Sequence, residues 1–493
     1  MKLPLLVRWS LFGLVLVAVL VITACDSPAE PDASATLESG SSSGATVSAE
    51  DLVADPADWD ARFVDLVTFV QQARQREFRV IPDIVYMDPP ALSLYLSAGN
   101  TIADFVDAEM AAGYEQLDDL YRATGVTNEE FDLFSDTRSG VGTAAVAVYE
   151  PGRHRLVLPQ AMEAGALSPF EQVVLVHELA HALQGTSTLN RIHSTGIDNA
   201  LAAALIEGEA SWVERQYFDT MTPEDQHDAR MQDSEWDDSV PGPIQAEFDQ
   251  AYVLGYGFFH GRFTVGGPQA VEEGFNARSA SWGSILDPWT FTGENTDDGF
   301  PSPDRPARPP AVDSLLLPGF RMPNEFVFSA PRWLQIFSVL MPGDEALRAA
   351  RAIPGVAAPR AWLDDDRRAC FVVDALPNAD GAELVEDALA QWADAFPELR
   401  SVTGQDEGFR VMGCEPDAAE LAAPRVSALN TVYRAGLTVE AEVWAFERNL
   451  PTDTGFCVAW HFFAEPGDDA EAGQEALREF LRTADTADVP AGC

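Results

Sequence analysis

The pentapeptide His177-Glu178-Leu179-Ala180-His181 holds the residue types and spacing best suited to chemistry in this chain. Read as helix, a spacing of four sets both imidazoles on one face, one turn apart, where they can grip a single metal ion. Glu178 lies about 100° round the helix from His177, close enough to reach a metal-bound water without ligating the metal. Zinc lowers the pKa of such a water toward ~7, so a neighbouring carboxylate can take its proton at neutral pH. The chemistry these residues could perform is hydrolysis assisted by one zinc ion per chain, with Glu178 as general base.

A catalytic zinc needs a third protein ligand and one open position. Two positions where some zinc enzymes continue the motif, with Gly and then His, hold Gln184 and Ser187 here. His193 follows in a stretch of Ser, Thr, Asn and Gly. Glu207 is the better ligand, inside DNALAAALIEGEASWVERQYF. At three-and-four spacing it shares a face with Ala200, Ala203, Ala204, Ala210, Ser211 and Glu214. These small residues, with Gly208, are expected to let the second helix approach the HExxH helix closely. Glu209, Glu214 and His193 are the rival ligands. Asp198 reads as the N-cap of the second helix or as a carboxylate orienting a ligand His. Tyr252, Tyr256 and His260 recur every four residues, as an aromatic core stripe or as groups facing the metal.

The elements that must position these groups are legible to different degrees. Ser168, Pro169 and Glu171 carry the start signals of the HExxH helix, N-cap, first-turn proline and capping box, and Gly185 its stop. A second helix is expected over about 198–217 and a third over about 243–262. Residues 52–122 read as largely helical, and 143–159 as a β-hairpin turning at Pro151-Gly152. The predicted fold class is α+β, mainly helical with a small hairpin or sheet. Predicted domains are a unit over 51–297 that carries the HExxH helix, a Pro/Asp-rich linker or insertion over 298–311 and an α+β region over 312–493.

HELAHALQ, DNALAAALIEGEA, AYVLGYGFF, GGPQAVEEGF and SILDP together carry a resemblance to known proteins. A zincin helix followed by a helix with a Glu ligand resembles the gluzincin class. More closely, the run is similar to an uncharacterised family of secreted bacterial and archaeal metallopeptidase-like proteins. Their motifs run HELxHALQDQ, an acidic residue ahead of AL-x-EGDA, Y..G..F, GG..A…F and ILHP. The likeness covers about 143–288. It implies His177, His181 and Glu207 as zinc ligands, Glu178 as general base and a peptide or protein substrate. Tyr252, matching the family's Tyr, would be the oxyanion stabiliser, and the hairpin an edge strand that binds extended peptide. Gly185-Thr186 replace the family's Asp-Gln. The alternative is a non-catalytic binding or assembly lipoprotein on a zincin scaffold.

Residues 1–24 contain Lys2 and Arg8, then an apolar run from Leu11 to Ile22, as in a secretory signal. Ile22-Thr23-Ala24-Cys25 resembles a lipobox, which implies lipidation at Cys25, export and attachment to the cell membrane through that lipid. Residues 25–50, rich in Ser, Ala, Gly and Pro, read as a flexible tether. Cys370, Cys414, Cys457 and Cys493 are an even set in an exported chain. A weak internal similarity, CFVV then a helix then Gly-Cys against CVAW then a helix then Gly-Cys, pairs Cys370 with Cys414 and Cys457 with Cys493. The formal charge of −48 argues against nucleic-acid binding.

Overall fold

The computed structural model describes residues 58–98, 118–119, 121–124, 147–185, 199–232, 246, 248–276, 281–291, 328–355, 360–363, 368–405, 408–415, 425–463, 470–491 and 493. Cys25, the signal and tether segments, His193, Asp198 and the 298–311 stretch lie outside them. The chain forms α1 (Val64–Arg74), β1 (Asp83–Met87), α2 (Pro89–Ala98), β2 (Val148–Glu150), β3 (Arg155–Pro159), α3 (Pro169–Gln184), α4 (Asn199–Thr220) and α5 (Pro223–Gln232). A π-helical segment, Gln250–Leu254, runs into α6 (Gly255–Asn276). Then come α7 (Trp282–Leu286), α8 (Ala330–Ser338), α9 (Gly343–Arg351), β4 (Arg360–Leu363), β5 (Ala369–Ala375), α10 (Ala382–Asp394), β6 (Arg400–Gln405), β7 (Gly408–Cys414), α11 (Arg425–Glu447), α12 (Thr452–Phe463) and α13 (Ala470–Thr483). The fold is thus mixed α+β and mostly helical, as expected.

Helix α3 begins as its sequence requires. The Glu171 N–H donates to Ser168 Oγ at 3.3 Å, and the Ser168 N–H donates to Glu171 Oε2 at 2.7 Å. At the far end Gly185 takes a φ of 77°, open to glycine at little cost, and its N–H reaches the His181 carbonyl. Every residue from Val173 to Gln184 is buried. A helix covered on all sides sits in the middle of a domain. Helices α1, α4 and α5 and strand β2 are its neighbours.

Strand β1 corrects the helical expectation for 52–122. Asp83 to Met87 pairs in parallel with β3, from Asp83 opposite Arg155 to Met87 opposite Pro159. The short DIVYM run is β-branched and aromatic, but its partner lies far along the chain, so no local signal announces the pairing. The hairpin turn also differs from the tight Pro151-Gly152 turn expected. Pro151–Arg153 forms a 3-10 turn, closed by His154 at φ 48° with its N–H on the Pro151 carbonyl. Strand order is β1-β3-β2, which leaves β2 at an edge.

Helix α4 meets its closest partner at a glycine pair. A Cβ on Gly208 would collide with the backbone of Gly255, and one on Gly255 would lie 2.7 Å from Gly208 Cα. Gly208, expected against the HExxH helix, faces the start of α6 instead. Glycine costs about 1 kcal/mol relative to alanine inside a helix, and the backbone contact explains why it is kept. Gly208→Ala should therefore destabilise the fold by roughly 1–3 kcal/mol despite its better helix propensity. Chemical denaturation checks this, and an unchanged or raised midpoint would contradict the contact. Further along α6, Gly266 and Gly267 leave helical geometry and Pro268 restarts it, which accounts for the Gly-Gly-Pro of the sequence.

The second sheet is antiparallel in the order β4-β5-β7-β6. Cys370 and Cys414 stand directly opposite each other on β5 and β7 and are disulfide-bonded. Cys457 is bonded to Cys493. Both pairings match expectation, but the similarity behind them is not a structural repeat, because Cys370 lies on a strand and Cys457 on α12. One hydrophobic cluster includes Phe63, Leu179 and Phe258 together with Trp333, Phe371, Trp392 and Val432, so the core is continuous across the proposed linker. Helix α11 seats Gly436 on Val253, where any side chain on that glycine would collide, and Val439 lies against Gly257. Among the described residues no helix is long and apolar enough to cross a membrane.

Candidate metal centre

Because α3 is buried, its two imidazoles point into protein; His177 is 0 % and His181 8 % exposed. Their Nε2 atoms are 3.0 Å apart. Glu207 Oε2, carried by α4, lies 3.2 Å from the first and 3.1 Å from the second. Donors held ~2.0–2.1 Å from a tetrahedral zinc stand roughly 3.3 Å apart, so this near-equilateral triangle fits one such ion with a fourth position open. Among the described residues no other group of three His, Cys, Asp or Glu gathers its ligand atoms so closely.

The other nitrogen of each ring is engaged behind the triangle. His177 Nδ1 is 2.8 Å from Glu214 Oε2, and His181 Nδ1 is 3.0 Å from Gln184 Oε1. Second partners of this kind orient ligand histidines and fix their tautomers. Glu209 turns to Gln184 and Arg74. Of the rival ligands, Glu214 and Glu209 therefore lie one layer out. Gln184, which in the sequence stands out only as a departure from another motif, lies three residues after His181 and so shares its helix face.

Glu178 is 1 % exposed. Its Oε2 accepts the backbone N–H of Tyr149 on the edge strand β2, at 2.5 Å. Its Oε1 is buried with no hydrogen-bond partner among the described residues. Leaving a buried carboxylate oxygen unsatisfied is costly, and a water at the open metal position would satisfy it. Tyr252 is the aromatic of the expected stripe that reaches the ligands. It sits in the π-helical segment, a feature common at functional sites. Its hydroxyl hydrogen-bonds Glu207, and its ring lies 6.0 Å from that of His177. Tyr256 and His260 instead bond each other, at 3.2 Å.

Electrostatics follow from this packing. Burial pushes the His177 imidazole down, but hydrogen bonds with Glu207 and Glu214 outweigh it and hold the ring at about 10. His181 is also raised: burial opposes, and the charge of Glu207 prevails. Burial pushes Glu207 up, yet His181 and the hydrogen bonds to both rings bring it to about 2. Burial raises Glu178 and Glu214 and, with nearby carboxylates, lifts Tyr252 well above the ordinary phenol range, so Tyr252 keeps its proton. Without metal, imidazolium protons compensate the carboxylates; a metal must displace them. Zinc affinity should therefore rise with pH below about 10, by ~10-fold per unit for each proton displaced. Chelator competition between pH 6 and 8, with proton release followed in weak buffer, checks the slope. A pH-independent affinity would mean the rings are already neutral.

The chain matches no family model, no curated protein and no solved structure.

Proposed function

We propose that the protein is a zinc-dependent metallopeptidase of gluzincin type. The observation that carries this reading is the meeting of His177, His181 and Glu207 in one triangle, with an unsatisfied oxygen of Glu178 in the same buried site. Two His and one Glu form a familiar donor set of catalytic zinc. Zinc held there would supply Lewis acidity and lower the pKa of a coordinated water.

The chain's own groups then divide the work. The Tyr149 N–H fixes Glu178 Oε2, leaving Oε1 to take a proton from the attacking water and pass it to the departing amine. Tyr252, which keeps its proton and hydrogen-bonds Glu207 through it here, would turn that one hydroxyl from the carboxylate to the oxygen that gains charge as the peptide carbonyl is attacked. Edge strand β2 offers backbone to an extended peptide next to the general base. The lipobox-like Cys25 and the tether after it support an extracytoplasmic location, with the body held to a membrane by lipid.

Metal content together with degradation of a broad peptide library tests the reading. One equivalent of zinc, with cleavage abolished by a chelator and restored by zinc, is the expected result. Stoichiometric zinc with every peptide left intact would favour the scaffold alternative.

A further inference from the structure

The HExxH motif is served by a polar chain that begins outside the motif-bearing segment. His181 Nδ1 faces Gln184 Oε1 at 3.0 Å. The amide nitrogen of the same Gln184 donates to the Ile206 carbonyl at 2.8 Å and to Glu209 Oε2 at 2.6 Å. Both amide protons are thereby used, so the oxygen must be the atom turned to the imidazole. An oxygen can only accept, which makes Nδ1 the donor and leaves Nε2 directed at Glu207. Glu209 in turn pairs with Arg74, and Arg74 Nη2 is 2.9 Å from Glu272 Oε2. Glu209 and the Arg74 side chain are buried, whereas the Glu272 side chain is 40 % exposed. The chain thus runs from His181 on α3 through Glu209 on α4 and Arg74 on α1 to Glu272 on α6.

We propose that Gln184, locked by Glu209 and Arg74, is a positioning residue for the second imidazole, and that α1 thereby helps to assemble the metal centre. This rests on the zinc reading above. Glu209 is held between the Gln184 amide and the Arg74 guanidinium, so the amide cannot turn over without breaking its contact to a carboxylate that Arg74 keeps in place. The last residue of α1 therefore decides the orientation of a ring on α3 that it does not touch.

Zinc affinity of the full exported chain, measured by chelator competition, tests the proposal together with the visible spectrum after cobalt replacement. Gln184→Leu removes the acceptor, and second-partner losses of this kind weaken metal binding ~10–100-fold. Glu209→Gln keeps shape and packing and should weaken zinc by a smaller factor while shifting the cobalt bands; it carries the test if Gln184→Leu does not fold. A folded Gln184→Leu or Glu209→Gln with wild-type affinity and spectrum would overturn the positioning role. Absence of zinc uptake by the wild-type chain would instead overturn the metallopeptidase reading.

Discussion

Glu178→Gln should leave zinc in place and remove peptide cleavage. Glutamine has the shape of glutamate, and its carbonyl oxygen can still accept the Tyr149 N–H that holds Glu178 Oε2. It cannot take a proton from water. General-base catalysis contributes ~10²–10⁴-fold, which corresponds to about 3–5 kcal/mol of barrier. The measurement is kcat/KM on a cleaved peptide, with metal content determined on the same preparation. Equal cleavage by variant and wild type would remove Glu178 from the reaction, and loss of zinc would make it a structural support of the ligands.

Replacing Glu207 by Ala should abolish stoichiometric zinc. That residue touches both imidazoles and accepts the Tyr252 hydroxyl, so three hydrogen bonds disappear with it. The remaining two nitrogens cannot hold zinc as three donors do, and the fall should exceed the ~10–100-fold expected of an outer partner. Glu214→Gln provides the internal comparison, because Glu214 meets only the far side of His177 and should fall within that smaller range. Metal analysis of both proteins after dialysis reads the difference. Full occupancy in Glu207→Ala would transfer the third ligand to Glu209 or His193.

The contrast between Glu207 and its neighbours shows what the sequence could and could not reveal. Spacing in HExxH specifies a helix face, and the face specifies two converging nitrogens. The capping signals of Ser168, Pro169 and Glu171 delimit that helix, so α3 and its ligands are local information. Glu207 was legible because a carboxylate among alanines signals a buried helix face. The direction of close packing was not, since small residues reveal that something approaches but not what does. Gly208 meets Gly255 rather than α3 for that reason. Strand β1, the bond from Tyr149 to Glu178 and the pairing of Arg74 with Glu209 join segments far apart in the chain. No periodicity encodes them, because each is a product of tertiary packing.

The seating of Gly436 on Val253 bears on how such a site could be moved between proteins. Val253 follows Tyr252 in the same π-helical turn, and α11 lies against it with no room for a side chain on that glycine. The phenol therefore takes its position partly from a helix near the C-terminus, whose neighbour α12 carries one of the two covalent crosslinks. A recombination that carried residues 143–288 alone into another host would transfer both histidines and Glu207. It would leave behind the surface against which Tyr252 is set. The ligand side chains would travel with such a segment, but Arg74, which backs Gln184 through Glu209, and the α11 surface behind Tyr252 would not, so both supports would have to be rebuilt in the new host.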